Sequence, residues 1–97
     1  MENAKPKTVE VDGIAVTVAL DVMDDYELTE QLVINADPAA TQAERLAALV
    51  RSYRVLFGAD YGRVKDELRA RNGGALPNSA MVGFANAVMA KVGELKN

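Results

Sequence analysis

Apolar and polar residues alternate along residues 8–18, near the start of the chain. Val9 and Val11 lie between polar neighbours, and aliphatic residues resume the alternation after the pair Asp12-Gly13. A period of two is typical of β-strands, and Asp-Gly is a favoured two-residue turn between paired strands. We therefore predict a β-hairpin over residues 8–19. Two strands cannot bury a face alone, so this hairpin must pack on helices or pair with strands of another copy.

After the hairpin, apolar residues recur every three or four positions, which is the spacing of α-helices. The first helix is predicted at about 24–36, because Asp24 or Asp25 can cap its amino end. Its apolar side chains spread over more than half of the helix circumference, so it needs more than one packing partner. They are Val22, Met23, Tyr26, Leu28, Leu32, Val33, Ile34 and Ala36.

Three further helices are predicted at about 39–57, 60–72 and 79–96. Asp37-Pro38 suits a helix start, Asp60 can cap the next helix, and Gly73-Gly74 can end it. Residues 1–7 are expected to form a flexible lead-in to a single domain over 8–97. The predicted fold is mainly α, a small single domain of about four helices with a short N-terminal β-hairpin.

The last predicted helix has two different sides. One is apolar, and the other consists of the small residues Ala80, Gly83, Ala87 and Ala90. Residues 72–90 carry no charge, so we expect that something covers this region. Glycine inside a helix costs about 1 kcal/mol relative to alanine. Two explanations stay open for Gly83: a solvent-facing side rich in small residues, or the close approach of another helix.

The composition is that of an ordinary folded protein. The chain has 97 residues, 49% of them hydrophobic and 26% charged, and contains neither cysteine nor histidine. Disulfides, thiolate nucleophiles and imidazole-based proton transfer are therefore excluded. The first residues lack the apolar run of a signal peptide, and no stretch has the roughly 20 apolar residues of a membrane span. We predict a cytoplasmic protein with no membrane contact.

Charge is divided unevenly along the chain. Residues 1–44 hold ten acidic residues against two lysines, whereas residues 45–97 hold nine basic residues against four acidic ones. The first part is therefore negatively charged and the second positively charged, and the whole chain has a net charge of −3. Copies of the chain could therefore associate head to tail, the type of contact that produces rings or open helical assemblies.

An acidic cluster, Asp21, Asp24, Asp25 and Glu27, precedes the first helix. Calcium loops use acids at alternating positions around a glycine, a pattern that is absent here. No nucleophile motif or glycine-rich loop completes a catalytic carboxylate pair. We predict no metal site, cofactor or catalytic residue, and no enzyme. Helix capping and docking to a basic surface are the remaining roles for these acids.

The third predicted helix carries Arg63, Lys65, Arg69 and Arg71. These side chains could contact phosphates, and a small DNA-binding regulator that uses residues 61–72 is our alternative functional hypothesis. The negative net charge and the lack of a series of stacking aromatic residues disfavour nucleic acid. A solvated helix face is the simpler interpretation.

The order of several short segments resembles the tail assembly chaperones of long-tailed, siphovirus-type bacteriophages over residues 16–97. The segments are Asp24-Asp25-Tyr26-Glu27-Leu28, Leu56-Phe57-Gly58, Tyr61, Val64, Lys65-Asp66-Glu67-Leu68-Arg69 and Gly73-Gly74. The resemblance implies a helical, non-enzymatic protein that coats the tape measure protein and recruits tail tube protein as the tube polymerises. It also implies self-association into oligomers or a spiral in the cytoplasm of the bacterial host, and absence from the mature virion.

Protein-interaction residues are predicted from these features together. They are the acidic and apolar start of the first helix, the arginines of the third and the small residues of the last: Asp24, Asp25, Tyr26, Leu28, Leu32, Arg63, Arg69, Arg71, Gly83, Ala87 and Ala90.

Overall fold

The computed structural model describes residues 6–96, and the side chains of residues 6–95. Two strands, β1 (Pro6–Val11) and β2 (Ile14–Ala19), are followed by four α-helices: α1 (Tyr26–Ala36), α2 (Gln42–Phe57), α3 (Tyr61–Arg71) and α4 (Asn78–Lys96). Short 3₁₀ turns lie at Val22–Asp24 and Gly58–Asp60. The mainly helical class and the N-terminal hairpin are confirmed.

The helices form three continuous segments within residues 6–96, and not the four separate helices predicted. The 3₁₀ turn at Gly58–Asp60 joins α2 directly to α3 without a loop. Helix α2 ends at Phe57, as predicted, and Gly58 is its C-cap residue, from which the chain continues directly into the turn. The predicted lead-in is also too long, because Pro6 and Lys7 belong to β1; residues 1–5 lie outside the described part.

The hairpin has the predicted two-residue turn. Val11 pairs with Ile14, and Asp12 and Gly13 both have positive φ, of 52° and 79°. Positive φ at both central positions is the mark of a type I′ turn, which matches the twist of the strands. One face of the hairpin carries the apolar residues predicted from the alternation, and all five are buried: Val9, Val11, Ile14, Val16 and Val18.

That face packs on α2, α3 and α4 to form the core. Phe57 lies at the centre, with its ring 6.2 Å from the ring of Tyr53 and 5.7 Å from that of Phe84. Val64 and Leu68 contribute from α3, and Val88 and Val92 from α4. None of the helices in the described part of the chain is both long and apolar enough to cross a membrane.

The helix caps differ in part from the prediction. Asp25 caps α1 as expected, since its carboxylate accepts hydrogen bonds from the amides of Glu27 and Leu28. Helix α2 begins at Gln42, not at 39, because Thr41 and Glu44 form a reciprocal capping box. Asp37 instead ends α1, and its carboxylate accepts a bond from the Ala39 amide.

Helix α1 lies at the edge of the core and packs chiefly on α2. Leu28 is its buried residue, and Leu32 is partly buried against the core. Tyr26 is 74% exposed and Val33 62% exposed. Within residues 6–95, these two exposed side chains of α1 therefore have no second packing partner of the kind that the apolar distribution predicted.

Candidate protein-binding groove

An apolar groove runs between α2 and the amino ends of α3 and α4. It has a volume of about 380 Å³. Its lining combines the outer ridge of α2 with residues that precede or begin α4: Leu46, Leu49, Val50, Tyr53, Tyr61, Lys65, Leu76, Pro77, Asn78, Met81 and Val82. We refer to this surface as the α2–α4 groove.

The wall on α2 is an exposed apolar ridge. Leu46, Val50 and Tyr53 are four and three positions apart, so they lie on one side of the helix. Leu46 is 47% exposed and Val50 43% exposed, whereas Tyr53 is buried at the base. Contiguous exposed apolar patches mark surfaces that bind other proteins, and Leu46 and Val50 expose two large aliphatic side chains on neighbouring turns.

The opposite wall is formed where the chain enters α4. Leu76 and Val82 are partly buried against the core, and Met81 is buried. The loop from Asn72 to Pro77 contains Gly73 and Gly74, both with positive φ, which turn the chain back towards α2 after α3 ends. This turn brings the uncharged residues 75–82 alongside the ridge on α2.

One edge of the groove is positively charged. The Lys65 Nζ lies 4.7 Å from the centroid of the Tyr61 ring, and the Arg54 Cζ lies 5.5 Å from the same centroid. Burial raises the pKa of the Tyr53 phenol, so the base of the groove is neutral over the physiological range. An apolar floor beside a cationic edge suits an amphipathic helix with acidic residues beside its apolar stripe.

The acidic cluster at the start of α1 is used in part for helix capping. Asp25 is engaged in capping, while Asp24 and Tyr26 lie exposed at the start of α1. Among the described residues, no three His, Cys, Asp or Glu side chains come together in a way that could hold a metal ion. Leu28 is 1% exposed, so it is a core residue and does not suit the interaction role predicted for it.

The arginines of α3 hold the hairpin. Arg63 donates to the backbone carbonyl of Ala15 and pairs with Glu67 and with Asp60, the latter at 3.3 Å. These carboxylates, Glu67 foremost, raise the pKa of the Arg63 guanidinium. Arg71 donates to the Asp12 carbonyl at the hairpin turn.

The remaining cations of α3 also have partners. Arg69 pairs with Asp66 at 3.0 Å, and Lys65 faces the Tyr61 ring. A Cβ at Gly13 would lie 3.2 Å from the Arg71 Nη2, so glycine leaves room for that guanidinium beside the turn. Arg63 and Arg71 therefore connect α3 to the hairpin, and neither of them lines the groove.

The small residues of α4 face outward. Gly83 and Ala90 are exposed and Ala87 is partly buried, and a Cβ built on Gly83 would meet no atom within 4 Å. No helix of the described chain approaches Gly83 closely. Close approach by another molecule stays a prediction, and these residues lie apart from the lining of the α2–α4 groove.

Sequence reasoning did not find the groove. One apolar stripe of α2 is wider than the core it faces, and it consists of Leu46, Leu49, Val50, Tyr53, Leu56 and Phe57. The width of the apolar stripe was the feature of the sequence that could have revealed the groove, because the outermost residues of a wide stripe need a second packing partner. Comparison with protein-family models, with curated proteins and with solved structures found no match.

Proposed function

We propose that this protein is a tail assembly chaperone of a long-tailed bacteriophage, which binds the tape measure protein and promotes polymerisation of the tail tube. The α2–α4 groove is the observation that carries the proposal. It offers an apolar ridge with an adjacent cationic edge, on a chain whose segment order resembles that family. The role is one of binding, and no chemical step is assigned to any residue.

The groove suits a helical client. An amphipathic helix docks through side chains at positions i, i+3 or i+4 and i+7, and Leu46, Val50 and Tyr53 have the same spacing on the groove wall. A long apolar helix such as the tape measure protein exposes such stripes repeatedly, so many copies of the chaperone can bind along it. Covering the stripes would keep the client from aggregating.

Self-association and recruitment of tail tube protein complete the proposal. The ion pairs of the described residues join Arg63 to Asp60 and Glu67, and Arg69 to Asp66. None of these pairs uses an acid from residues 1–44. The acidic charge of α1 therefore remains available for a basic surface on another copy or on tail tube protein. The protein acts in the cytoplasm of the bacterial host and leaves before the virion is complete.

The test is co-expression with a tape measure protein, with its soluble fraction as the readout. We expect the unmodified chain to keep the client soluble and Val50→Asp to abolish this effect, because a carboxylate in the groove must be desolvated when the client binds. Val33→Asp is the matched control, since Val33 is a helical valine 62% exposed on α1, outside the groove. Equal solubilisation by both variants would refute the role of the groove.

The alternative of a DNA-binding regulator receives less support from the arrangement of α3. Arg63, Arg69 and Arg71 each have an acidic or carbonyl partner within the described chain. Contacts to phosphates would have to replace these bonds. A mobility shift with duplex DNA at low salt, lost as salt rises, would revive the alternative.

A further inference from the structure

The two edges of the hairpin differ in how their backbone groups are satisfied. On β2, the Ala15 carbonyl accepts from Arg63, and the Thr17 amide donates to the Asp60 carboxylate at 2.8 Å. Asp60, in the Gly58–Asp60 turn, and Arg63, on α3, therefore occupy part of the outer edge of β2. A two-stranded sheet has one more outer edge, which belongs to β1.

The pairing register shows which groups of β1 face outward. Val11 and Ile14 form the hydrogen-bonded pair next to the two-residue turn. From this pair onward, every second residue of each strand has its backbone N–H and C=O groups directed away from the partner strand. On β2 the backbone groups of Ala15 and Thr17 are directed outward. Their partners on β1 are Glu10 and Thr8, whose backbone groups are directed outward on the opposite edge. Within the described part of the chain, the backbone N–H and C=O groups of Thr8 and Glu10 make no hydrogen bond.

The space beside this edge is open. A trough of about 380 Å³ is lined by Thr8, Val9, Glu10, Lys91, Glu94 and Leu95. Leu95, at the end of α4, is 51% exposed there. Unpaired strand groups beside an open trough with an apolar side chain are a template for another strand.

We propose that the β1 edge pairs with the β1 edge of a second copy, forming a four-stranded antiparallel sheet across a two-fold axis at Val9. In this register Thr8 of each copy lies opposite Glu10 of the other copy, so the interface contains two identical Thr8–Glu10 contacts. The four outward N–H and C=O groups of Thr8 and Glu10 in each strand are then paired. The contact goes beyond the proposed client binding, because it uses a different surface from the α2–α4 groove.

Alternative two-fold registers are less favourable. An axis at Glu10 would place two like charges directly opposite each other. An axis at Thr8 would place Glu10 opposite Pro6, whose ring nitrogen has no hydrogen to donate, so the Glu10 carbonyl would stay unpaired. The axis at Val9 also places the two Val9 side chains together on the face that packs on the helices, next to Leu95.

The test uses two substitutions at the same exposed position. Thr8→Glu places like charges opposite Glu10 at both symmetric contacts, and we expect it to weaken dimerisation about tenfold. Thr8→Lys creates two opposite-charge pairs, and we expect dimerisation to strengthen by a similar factor. Both variants lose the same hydroxyl contact with Thr17, so the matched pair separates the effect of charge from an effect on folding. Sedimentation equilibrium over a range of concentrations measures the dissociation constants.

Amide hydrogen exchange locates the interface in the unmodified chain. We expect the amides of Thr8 and Glu10 to become protected as the concentration rises, while that of Val9 is protected at every concentration by its bond within the hairpin. A monomer at millimolar concentration, or a dimer without protection at Thr8 and Glu10, would overturn the proposal. Weaker dimerisation of both Thr8→Lys and Thr8→Glu would overturn the register with its axis at Val9. Of the three registers, only the one with its axis at Thr8 places the two substituted residues opposite each other.

Discussion

The Asp60 side chain forms a hydrogen bond with a distant strand instead of capping the helix that it precedes. It precedes α3, but its backbone has φ −84° and ψ −5°, which is not the extended conformation of a capping residue. Its carboxylate makes no capping bond and instead accepts from the Thr17 amide. The prediction of Asp60 as a helix cap is therefore wrong. Local sequence could not reveal the true partner, which is 43 positions away.

The pH dependence of stability should report this contact. The hydrogen bond from the Thr17 amide, with a contribution from Arg63, lowers the pKa of Asp60 below its ordinary value of 3.8. A depressed carboxyl pKa stabilises the fold above the unfolded-state pKa, and this contribution disappears as the pH falls through the folded-state pKa. We expect Asp60→Asn to lower the free energy of unfolding by about 1 kcal/mol at pH 5–7.

Urea unfolding of both proteins at a series of pH values tests this expectation. The difference between them should shrink as the pH falls below 3.8. Asp66→Asn is the control, since the Asp66 side chain is 76% exposed and contacts Arg69 on its own helix. A difference that persists unchanged to pH 2 would show that the Asp60 carboxylate is not the source of the stabilisation.

At the scale of elements, the junction of α2 and α3 depends on Gly58. Its backbone has φ 53° and ψ −127°, a conformation that residues with a Cβ rarely adopt. This residue lets the chain pass from α2 through a 3₁₀ turn into α3 without a loop. The sequence correctly marked a break at Gly58, but a helix end and a bend have the same local signal.

Two glycine substitutions on either side of this junction should have opposite effects. We expect Gly58→Ala to destabilise the protein by about 1–3 kcal/mol, because the backbone conformation is strained for alanine. Gly62→Ala should stabilise it by up to about 1 kcal/mol, since a Cβ there meets no atom within 4 Å and alanine favours the helix. Thermal unfolding followed by circular dichroism measures both. If Gly58→Ala left the stability unchanged, the junction would not depend on the conformation of Gly58.

The elements that sequence predicted well are those with local causes. Asp12-Gly13 specifies the hairpin turn, and the periodic apolar residues specify each helix. The start of α2 was misplaced because Asp37 and Thr41 are both good capping residues, and the reciprocal bond with Glu44 decides between them. The roles of Arg63 and Arg71 could not be predicted, since their carbonyl partners lie 48 and 59 positions away.

At the scale of the whole molecule, the hairpin and the helices share one core. The buried face of the hairpin contacts α2, α3 and α4, and the arginines of α3 bind its backbone. Exposure of the α2–α4 groove follows from this arrangement, because the core covers only the inner part of the wide apolar stripe on α2. Periodicity identifies the stripe, but the relative positions of distant elements determine which part of it stays uncovered.

A shared core implies that the hairpin unfolds together with the helices. Ile14 is 0% exposed, and Ile14→Ala should lower the free energy of unfolding by about 2–5 kcal/mol through lost burial and a residual cavity. Since the helices pack on this residue, the helical circular dichroism signal and the exchange of hairpin amides should report the same destabilisation. Tyr26→Ala should change both only slightly, because Tyr26 is 74% exposed. If the hairpin amides exchange freely while the helical circular dichroism signal is retained, the hairpin unfolds independently of the helices. The strand register of the hairpin would then no longer support the proposed pairing of β1 with a second copy.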